Sequence, residues 1–323
     1  MKIAIVGATG LVGRKILEIL EENNLICGNT LFLYASPKSA GKIIMVGGQK
    51  NIVMAINKTN VVACDFALFS AGSAVSHTFA PLFAKKGAFV IDNSSAFRRY
   101  KNVPLVVPEI NPQTISPSTK IIASPNCSTI GLVLAIWPLM AKKEIERIVV
   151  STYQAVSGAG QKAINDYLSG STTKLEAPIK SNLIPKIDKF LSSGDTFEEN
   201  KMVYEVQKIL NKKIKISATC VRVPILNCHS ESVNITFKTQ ISAKMAQKTL
   251  KNGQKPTICD LPMPRLADGT NSVFVGRIRK DHSLKNTLNM FLCFDNLRIG
   301  AALNVVDIMQ YIINKSDLLS SKK

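Results

Sequence analysis

Long apolar runs are missing from this chain of 323 residues. The most apolar segment, residues 130–141, is too short to cross a membrane, because a spanning helix needs roughly 20 consecutive apolar residues. The N-terminus lacks the long apolar region of a signal peptide and turns glycine-rich at Gly7. We therefore expect a cytoplasmic enzyme without a membrane-spanning segment.

Histidine is scarce, and the cysteines are not spaced in pairs. The chain has three histidines and seven scattered cysteines, no two of which have Cys-x-x-Cys spacing. Zinc sites and disulfide frameworks usually show regular cysteine spacing, and many metal centres need several histidines. The sequence therefore predicts neither a metal site nor a disulfide framework.

Acidic residues are few: 22 Asp and Glu stand against 41 Lys and Arg, which gives a net charge of +19. This charge fits either a nucleic-acid surface or a lysine-rich composition spread along the whole chain. Aromatic residues make up 6% of the chain and do not alternate with basic segments, which argues against nucleic-acid binding. We expect the charge to favour phosphorylated small substrates.

The chain begins with a strand, a glycine turn and a helix. An apolar strand over Lys2–Val6 is followed by Gly7-Ala8-Thr9-Gly10-Leu11-Val12-Gly13 and a helical pattern to about Glu22. Glycines at this point let the backbone approach the pyrophosphate of a dinucleotide at the helix N-terminus. The glycine spacing differs from the usual G-x-G-x-x-G, so an ordinary tight turn is the alternative.

The second predicted strand, Thr30–Tyr34, indicates which dinucleotide binds. NAD sites usually carry Asp or Glu at the end of this strand to hold the ribose 2′-hydroxyl. Here the chain continues with Ala35-Ser36-Pro37-Lys38-Ser39-Ala40-Gly41-Lys42, which offers hydroxyls and lysines but no acid. A carboxylate would repel a 2′-phosphate, whereas this loop can bind one, so NADP(H) is the expected cofactor.

The later patterns predict an α/β fold with more than one domain, because the chain exceeds the usual size of one core. Strands at Phe66–Phe69 and Phe89–Asp92 end in small polar residues, as where a parallel sheet meets its ligand. Apolar and polar residues alternate in Ile216–Val223 and Ser232–Thr239, which predicts an antiparallel sheet with one wet face. A helix is expected from about Gly300 to Asn314. The expected architecture is a Rossmann-like doubly wound parallel sheet plus an α+β domain with a mainly antiparallel sheet.

The cysteine in Ser124-Pro125-Asn126-Cys127-Ser128-Thr129 is the strongest candidate for chemistry. The apolar run from Ile130 to Met140 predicts about three helical turns directly after it. The sulfur would then lie near unpaired backbone N–H groups and the positive end of the helix dipole, which favour a nucleophilic thiolate. The alternative is that Cys127 is a small buried apolar residue, as free cysteines commonly are.

A nucleophilic cysteine needs a base and groups that recognise the substrate. His229 is the best candidate base, because the other two histidines lie in a helical pattern and in a charged loop. Arg222, near the end of a predicted strand, is suited to bind a carboxylate, and Arg98 or Arg99 an anion. A packed histidine and surface charges are the alternatives for these residues.

Six segments together resemble the aspartate-β-semialdehyde dehydrogenase family. They occur in family order, over nearly the whole chain, at residues 7–13, 92–98, 125–130, 151–160, 217–224 with 229–231, and 274–281. The resemblance implies NADPH-dependent reductive dephosphorylation of L-4-aspartyl phosphate to L-aspartate 4-semialdehyde through a cysteine thioester. Such a reaction belongs to the biosynthesis of lysine (through diaminopimelate), threonine, methionine and isoleucine.

The resemblance also implies roles for individual residues. Cys127 attacks the substrate, His229 acts as general acid/base, and Gln154 orients the substrate and the thioester. The residues expected to bind the substrate are Arg222 at the α-carboxylate, Glu198 at the amino group, Arg98 and Lys201 at the phosphate, and Asn126. The residues expected to line NADP are Thr9, Gly10, Leu11, Val12, Ser36, Lys38, Ser39, Ser157, Gly158 and Asn296.

The resemblance further implies a homodimer whose chain has distinct parts. These are an NADP-binding domain over 1–126, a catalytic and dimerisation domain over 127–298, and a C-terminal helix with a frayed tail over 299–323 that packs back on the nucleotide domain. Lys38 stands where relatives often have arginine, which should weaken planar recognition of the 2′-phosphate. The chain also looks shorter than typical members after Gly160 and around residues 251–270.

Two other interpretations share these motifs. An N-acetyl-γ-glutamyl-phosphate reductase would also have a nucleotide domain, a cysteine and a histidine. Its N-acetylated substrate has no ammonium group for Glu198 to pair with, so Glu198 favours aspartate chemistry. A non-catalytic nucleotide-binding relative would be expected to have lost Cys127 or His229, and both persist.

Overall fold

A computed structural model describes residues 1–315 and Leu318. The chain forms two compact units, one of residues 1–125 with the C-terminal segment from Ala301, the other of residues 126–300. Apart from Leu318, the tail that is expected to fray lies outside the described residues. In the described part of the chain, no helix is long and apolar enough to cross a membrane.

The first unit is built on a mostly parallel sheet. Its strands are β1 (Lys2–Val6), β2 (Thr30–Ala35), β3 (Ile43–Val46), β4 (Gln49–Ala55), β5 (Phe66–Phe69), β6 (Phe89–Asp92) and β7 (Ile121–Ala123). They lie in the order β3-β4-β2-β1-β5-β6-β7, and only the β3–β4 pair in this series is antiparallel. β5 is apolar and buried along its whole length, which is typical of a strand covered on both faces. The expected Rossmann-like sheet is thereby confirmed.

Helices α1 (Leu11–Glu22) and α2 (Ser73–Lys85) lie between strands of this sheet in the sequence. α1 begins directly after the glycine turn, and its apolar side, which includes Ile16 and Leu20, is buried. α2 packs against β5 and β6. These helices provide the crossovers that parallel strands require.

The second unit contains a mainly antiparallel sheet. Its strands are β8 (Ile145–Gln154), β9 (Lys215–Arg222), β10 (His229–Phe237), β11 (Pro256–Ile258), β12 (Val273–Lys280) and β13 (Thr287–Phe294), in the order β11-β12-β13-β10-β8-β9. β10 runs antiparallel to both β8 and β13, as predicted for its segment. The prediction for the β9 segment is wrong, because β9 lies parallel to β8. The intervening residues 155–214 include helices and cross over the sheet, and such a connection joins parallel strands.

The helices of the second unit are α3 (Cys127–Met140), α4 (Gln161–Ser169), α5 (Phe197–Leu210), α6 (Ala243–Lys251) and α7 (Pro264–Ala267). α3 is apolar around most of its circumference and almost entirely buried. It packs against strands β10, β12 and β13 and against α5 and α6. The helix that starts at Cys127 is therefore the centre of this unit's core.

The last helix, α8 (Leu303–Ile313), follows a π-helical turn at Arg298–Ala302. It packs against α1 and β6 of the first unit. Asn304 at its start donates hydrogen bonds to the carbonyl oxygen of Val106 at 3.0 Å and to Ser124 Oγ at 2.9 Å. Side-chain bonds thus supplement the apolar packing of this helix on the first unit.

Candidate active site

Cys127 is the first residue of α3, and Asn126 caps the helix. The Asn126 side-chain oxygen accepts the backbone N–H groups of Ser128 at 3.0 Å and Thr129 at 3.4 Å. An asparagine in this position satisfies donors that the first turn otherwise leaves unpaired. The cap fixes where the helix starts, and it leaves Cys127 at the positive end of the helix dipole.

At one end of the second sheet, β8 and β9 end and the neighbouring strand β10 begins. Arg222, the last residue of β9, lies opposite Gln154, the last residue of β8. The next residue, Ala155, donates its N–H to Nδ1 of His229, the first residue of β10, at 3.1 Å. Arg222 Nη1 donates to the carbonyl oxygen of Ala155 at 2.7 Å. A single peptide segment therefore anchors both the arginine and the histidine.

The surroundings of His229 determine its protonation. The side chain is fully buried, and Nε2 has no hydrogen-bond partner among the described residues. Because Nδ1 accepts the Ala155 N–H, the neutral ring carries its proton on Nε2. Burial, together with the Arg222 guanidinium, lowers the pKa of His229 to about 3. At neutral pH the imidazole is uncharged and offers an Nε2–H donor.

The start of α5 carries the predicted acid and lysine. Thr196 and Glu199 form a capping box: the threonine hydroxyl accepts the Glu199 N–H at 3.3 Å, and the Glu199 carboxylate accepts the Thr196 N–H at 2.6 Å. Glu198 and Lys201 share one face of the helix, with Lys201 Nζ 2.8 Å from Glu198 Oε2. Lys201 also contacts Asp188 at 3.1 Å.

Glu198 is buried and nevertheless ionised. Its Oε1 accepts hydrogen bonds from Asn126 Nδ2 at 2.9 Å and from Gln154 Nε2 at 3.1 Å. Burial raises the pKa of this carboxyl, but Lys201 and the two amides outweigh it and lower the pKa to about 2. Burial likewise opposes the charge of Lys201, whose pKa is raised by Glu198 and Asp188. The Glu198 carboxylate therefore links Asn126 at the start of α3, Gln154 at the end of β8, and the Lys201 ammonium group.

The glycine turn of the first unit has the shape of a dinucleotide cradle. Gly7 has a φ of 97°, and a Cβ at Gly13 would lie 2.1 Å from the Gly7 carbonyl oxygen, so a larger residue fits at neither position. The turn approaches the chain after β2, where Thr9 Oγ1 lies 3.4 Å from Ser39 Oγ. No acid follows β2. The predicted cofactor residues in this region are Thr9, Gly10, Leu11, Val12, Ser36, Lys38 and Ser39.

The other predicted cofactor residues lie in the second unit, next to His229. Asn296 donates to Ser157 Oγ at 3.0 Å and accepts the N–H of Cys228 at 2.9 Å. A Cβ at Gly158 would lie 3.0 Å from His229 Cε1, so the backbone at Gly158 packs closely against the ring. Ser157 and Gly158 therefore belong to the segment after Ala155 that anchors His229, and Asn296 is bonded to that segment.

Arg98 lies in the first unit, beyond the carboxyl end of β6, and is 6% exposed. Its Nε donates to the carbonyl oxygen of Ser124, and Nη2 to that of Asn93, both at 2.8 Å. These carbonyls fix the plane of the guanidinium at the ligand-binding edge that is usual in a parallel sheet.

Comparison with known proteins identifies the family. Residues 2–118 match the NAD-binding domain of semialdehyde dehydrogenases, and residues 136–299 match their dimerisation domain. An aspartate-semialdehyde dehydrogenase of Aquifex aeolicus is 46% identical, in an alignment that covers 97% of this chain and 98% of that protein. The chain belongs to the aspartate-semialdehyde dehydrogenase family.

Solved structures of aspartate-semialdehyde dehydrogenases have the same fold. Aspartate semialdehyde dehydrogenase II from Vibrio cholerae, complexed with ASA, has a TM-score of 0.93 at 39% identity, covering 97% of this chain and 98% of that one. The Candida albicans enzyme with NADP has a TM-score of 0.79 at 26% identity, covering 98% of this chain and 99% of that one. The predicted family and fold are thereby confirmed.

In this dehydrogenase, the second unit brings together most of the predicted reaction residues. These are Cys127, Asn126, Gln154, His229, Arg222, Glu198 and Lys201. Arg98 lies in the first unit, as do the cofactor residues of the glycine turn and of the loop after β2. The α5 helix, which the sequence patterns do not predict as a whole, contributes Glu198 and Lys201.

Two buried acids of the second unit are not predicted from the sequence. Glu205, on α5, accepts the backbone N–H of Asn126 at 2.6 Å. Glu231 lies two residues after His229 on β10, is fully buried, and has no hydrogen-bond partner for either oxygen among the described residues. Burial raises the pKa of Glu231 well above its ordinary value, so it is a neutral acid. The sequence signal that could have predicted the burial of Glu231 is its position in a strand, two residues before the apolar Val233, which places both side chains on the same face.

Proposed function

We propose that the chain is an NADPH-dependent dehydrogenase that converts L-4-aspartyl phosphate to L-aspartate 4-semialdehyde and phosphate. One observation carries the proposal: Gln154, at the end of β8, lies between an ionised Glu198, to which it donates a hydrogen bond, and a buried Arg222 on the neighbouring strand. Glu198 is also bonded to Asn126, the cap of the Cys127 helix. An α-amino acid offers an ammonium and a carboxylate, the complements of this pair. The named relatives support the same substrate class.

Substrate recognition divides between the two charges. Arg222 is anchored through Nη1 to Ala155, and its other donors can bind the α-carboxylate in a fork. Glu198 accepts the ammonium group, since a carboxylate with a pKa of about 2 stays charged throughout the neutral range. An N-acetylated substrate has no ammonium group to pair with Glu198, so this carboxylate favours a free amino acid as the substrate.

In the first chemical step, the Cys127 thiolate attacks the acyl carbon. A C–S bond forms, and the bond to the phosphoryl oxygen breaks, with its electron pair leaving on phosphate. Lys201 and Arg98 are assigned to bind the phosphate and offset its charge. Backbone N–H groups near the start of α3 are suited to stabilise the developing oxyanion. Gln154, held by Glu198, orients the resulting thioester.

In the second step the thioester is reduced. NADPH, when bound, supplies the hydride that reaches the thioester carbon. His229 donates its Nε2–H to the carbonyl oxygen as negative charge develops there. The C=O bond then reforms, the C–S bond breaks, and Cys127 regains its thiolate as the aldehyde leaves. Because the His229 pKa is about 3, the ring acts as a neutral donor in this step.

NADP is assigned to the two groups of cofactor residues. The glycine turn admits the pyrophosphate at the start of α1, and Ser36, Lys38 and Ser39 offer hydroxyls and a cation to a 2′-phosphate without an opposing acid. Ser157, Gly158 and Asn296 are assigned to the nicotinamide side. The NADP in the Candida albicans relative supports this choice.

The enzyme is proposed to be a homodimer that uses the outer face of the second sheet. On this face, opposite to His229, Tyr153 is 37% exposed, and its ring lies 6.0 Å from that of Phe291. Exposed aromatic rings on a sheet face are suited to pack against the same face of a second copy. The match to a dimerisation domain over residues 136–299 supports this arrangement.

The proposed location is the cytoplasm. No disulfide joins the cysteines in the described residues, and the reaction requires a reduced thiol at Cys127. A compartment that keeps thiols reduced provides this condition.

The assay that tests the proposed function follows the reaction in reverse. Wild-type protein is expected to reduce NADP⁺ with L-aspartate 4-semialdehyde only when phosphate is present, and Cys127→Ala is expected to have no activity. N-acetylglutamate semialdehyde serves as the competing substrate. Activity on that compound alone would move the assignment to an N-acetyl-γ-glutamyl-phosphate reductase, and no activity on either would contradict catalysis.

A further inference from the structure

Helix α5 presents two carboxylates to the residue that precedes the nucleophile. Glu198 and Glu205 are seven residues apart, about two helical turns, so they project from the same side of the helix. Glu198 Oε1 accepts the side-chain amide of Asn126 at 2.9 Å, and Glu205 Oε2 accepts its backbone N–H at 2.6 Å. Asn126 is therefore held by its side chain and by its backbone from one helix.

The remaining polar atoms of Asn126 are also bonded. Its side-chain oxygen caps Ser128 and Thr129, and its carbonyl oxygen accepts the N–H of Ile130 at 2.9 Å. With its side-chain oxygen, side-chain amide group, backbone N–H and carbonyl oxygen each bonded, Asn126 is fixed in its extended conformation, φ −62° and ψ 148°. The peptide that leads into Cys127 is fixed with it.

We propose that Glu205 is a positioning residue for Cys127, a role that rests on the proposed thioester chemistry. The bond from a carboxylate to a backbone N–H is of the strong, charge-assisted kind. By holding the Asn126 N–H, Glu205 sets the path of the chain at the helix start and hence the placement of the sulfur. Glu198 faces the substrate as well, whereas Glu205 is fully buried behind the cap.

The alternative is that Glu205 only helps to hold α5 in place. α5 is anchored by buried apolar residues on the same helix, namely Met202, Val206 and Ile209, so its docking does not depend on Glu205 alone. Burying an acid in place of a further apolar side chain costs stability unless its hydrogen bond is needed. Glu205 also accepts the Tyr204 hydroxyl through Oε1 at 3.3 Å, whereas the shorter bond from Oε2, at 2.6 Å, is the one that reaches the start of the Cys127 helix.

The test compares Glu205→Ala with Glu205→Gln. The alanine variant is expected to lower kcat by about 10- to 100-fold, since misplacement of a reacting atom by about 1 Å costs that much. Its KM for L-aspartate 4-semialdehyde should stay within about threefold, because Arg222 and Glu198 are intact. Glu205→Gln keeps an oxygen acceptor for the Asn126 N–H and is expected to recover kcat to within about fivefold of wild type.

A second readout does not require turnover. Alkylation of Cys127 by iodoacetamide, followed by peptide mass spectrometry, is measured against the exposed Cys27 in the same sample. The ratio of the two rates is expected to change by about fivefold or more in Glu205→Ala and by less than about twofold in Glu205→Gln. An inactive wild type would contradict the proposed function, whereas this ratio would still decide the role of Glu205.

Asp166→Ala is the matched control. Asp166 is also a buried acid of the second unit, and it accepts the backbone N–H groups of Lys174 at 2.7 Å and Leu175 at 2.9 Å. Its loss is expected to lower the melting temperature and leave kcat within twofold of wild type. The proposal is overturned if Glu205→Ala keeps wild-type kcat and alkylation, or if Glu205→Gln is as impaired as Glu205→Ala.

Discussion

Replacing Gly158 with alanine tests whether His229 and Arg222 act from the positions described above. The added methyl carbon would lie 3.0 Å from His229 Cε1, 3.1 Å from His229 Nε2 and 3.2 Å from Arg222 Nη1. Such contacts require the neighbours to move by a few tenths of an ångström. Neither side chain can retreat easily, because both are buried and both are bonded to Ala155.

The expected loss follows from this displacement. If about 1 Å of misplacement costs about 100-fold, a shift of roughly half that size costs about tenfold in kcat/KM, or about 1.4 kcal/mol. Gly158 has no positive φ, so alanine can adopt its backbone conformation. Alanine also restricts the unfolded chain, an effect of about 0.4–1 kcal/mol that offsets part of the cost of the crowded contacts. Activity should therefore fall while the melting temperature is retained.

The assay is phosphate-dependent NADP⁺ reduction, with kcat and KM for L-aspartate 4-semialdehyde and a separate measurement of the Kd for NADP. Gly253→Ala is the matched control, because its methyl carbon would be equally crowded, 3.0 Å from Pro256 Cδ, at a site remote in sequence and contacts from His229. It should leave kcat unchanged. The reasoning is refuted if Gly158→Ala keeps kcat/KM within twofold, or if the whole loss is a weaker Kd for NADP.

Three further predictions concern pH, packing and assembly. The Glu231 carboxyl has a folded pKa raised above its ordinary 4.5, so the free energy of unfolding falls as pH rises above that value, by up to about 1.4 kcal/mol per pH unit. His229, whose folded pKa is lowered, contributes the opposite slope up to about pH 6.5 in both proteins, so Glu231 is isolated by comparison. In urea titrations at pH 5, 6 and 7, the free energy of unfolding of wild type relative to Glu231→Gln should fall as pH rises; parallel curves would contradict a buried neutral acid. Gly131→Ala places a methyl carbon 2.1 Å from Phe294 Cε1 and should lower the free energy of unfolding by about 1–3 kcal/mol, against no change if the ring moves without cost. Tyr153→Arg should dissociate the dimer in analytical ultracentrifugation, while Ile52→Arg, at an exposed site of the first unit, should not; a dimeric Tyr153→Arg would exclude the proposed face.

Local patterns predict the elements whose side chains carry a strong periodic or capping signal. The strand Lys2–Val6, the helix to Glu22 and the helix after Cys127 all occur as expected, because apolar runs and glycine or asparagine boundaries specify them locally. The strands Ile43–Val46 and Gln49–Ala55 are not predicted. They carry exposed apolar residues, Ile43 and Ile52, and lack the continuous apolar pattern of the central strands.

Pairing between distant segments is where local reasoning fails. The alternating residues of the β9 segment are compatible with either strand direction, and only the crossover through residues 155–214 makes β9 parallel to β8. The same pairing places Arg222 beside Gln154. The residue types of the site are thus present in the sequence, whereas their neighbours follow from the sheet register.

The amino-acid sequence specifies the chemical groups of this protein: a cysteine at a helix start, a glycine turn after a strand, and a second strand that no acid follows directly. The tertiary structure decided the state of those groups. Ala155 fixes the proton of His229 on Nε2, Lys201 and two amides keep Glu198 ionised, and burial leaves Glu231 neutral. Protonation depends on burial and on partners that arrive from other strands and helices, and no local pattern contains that information.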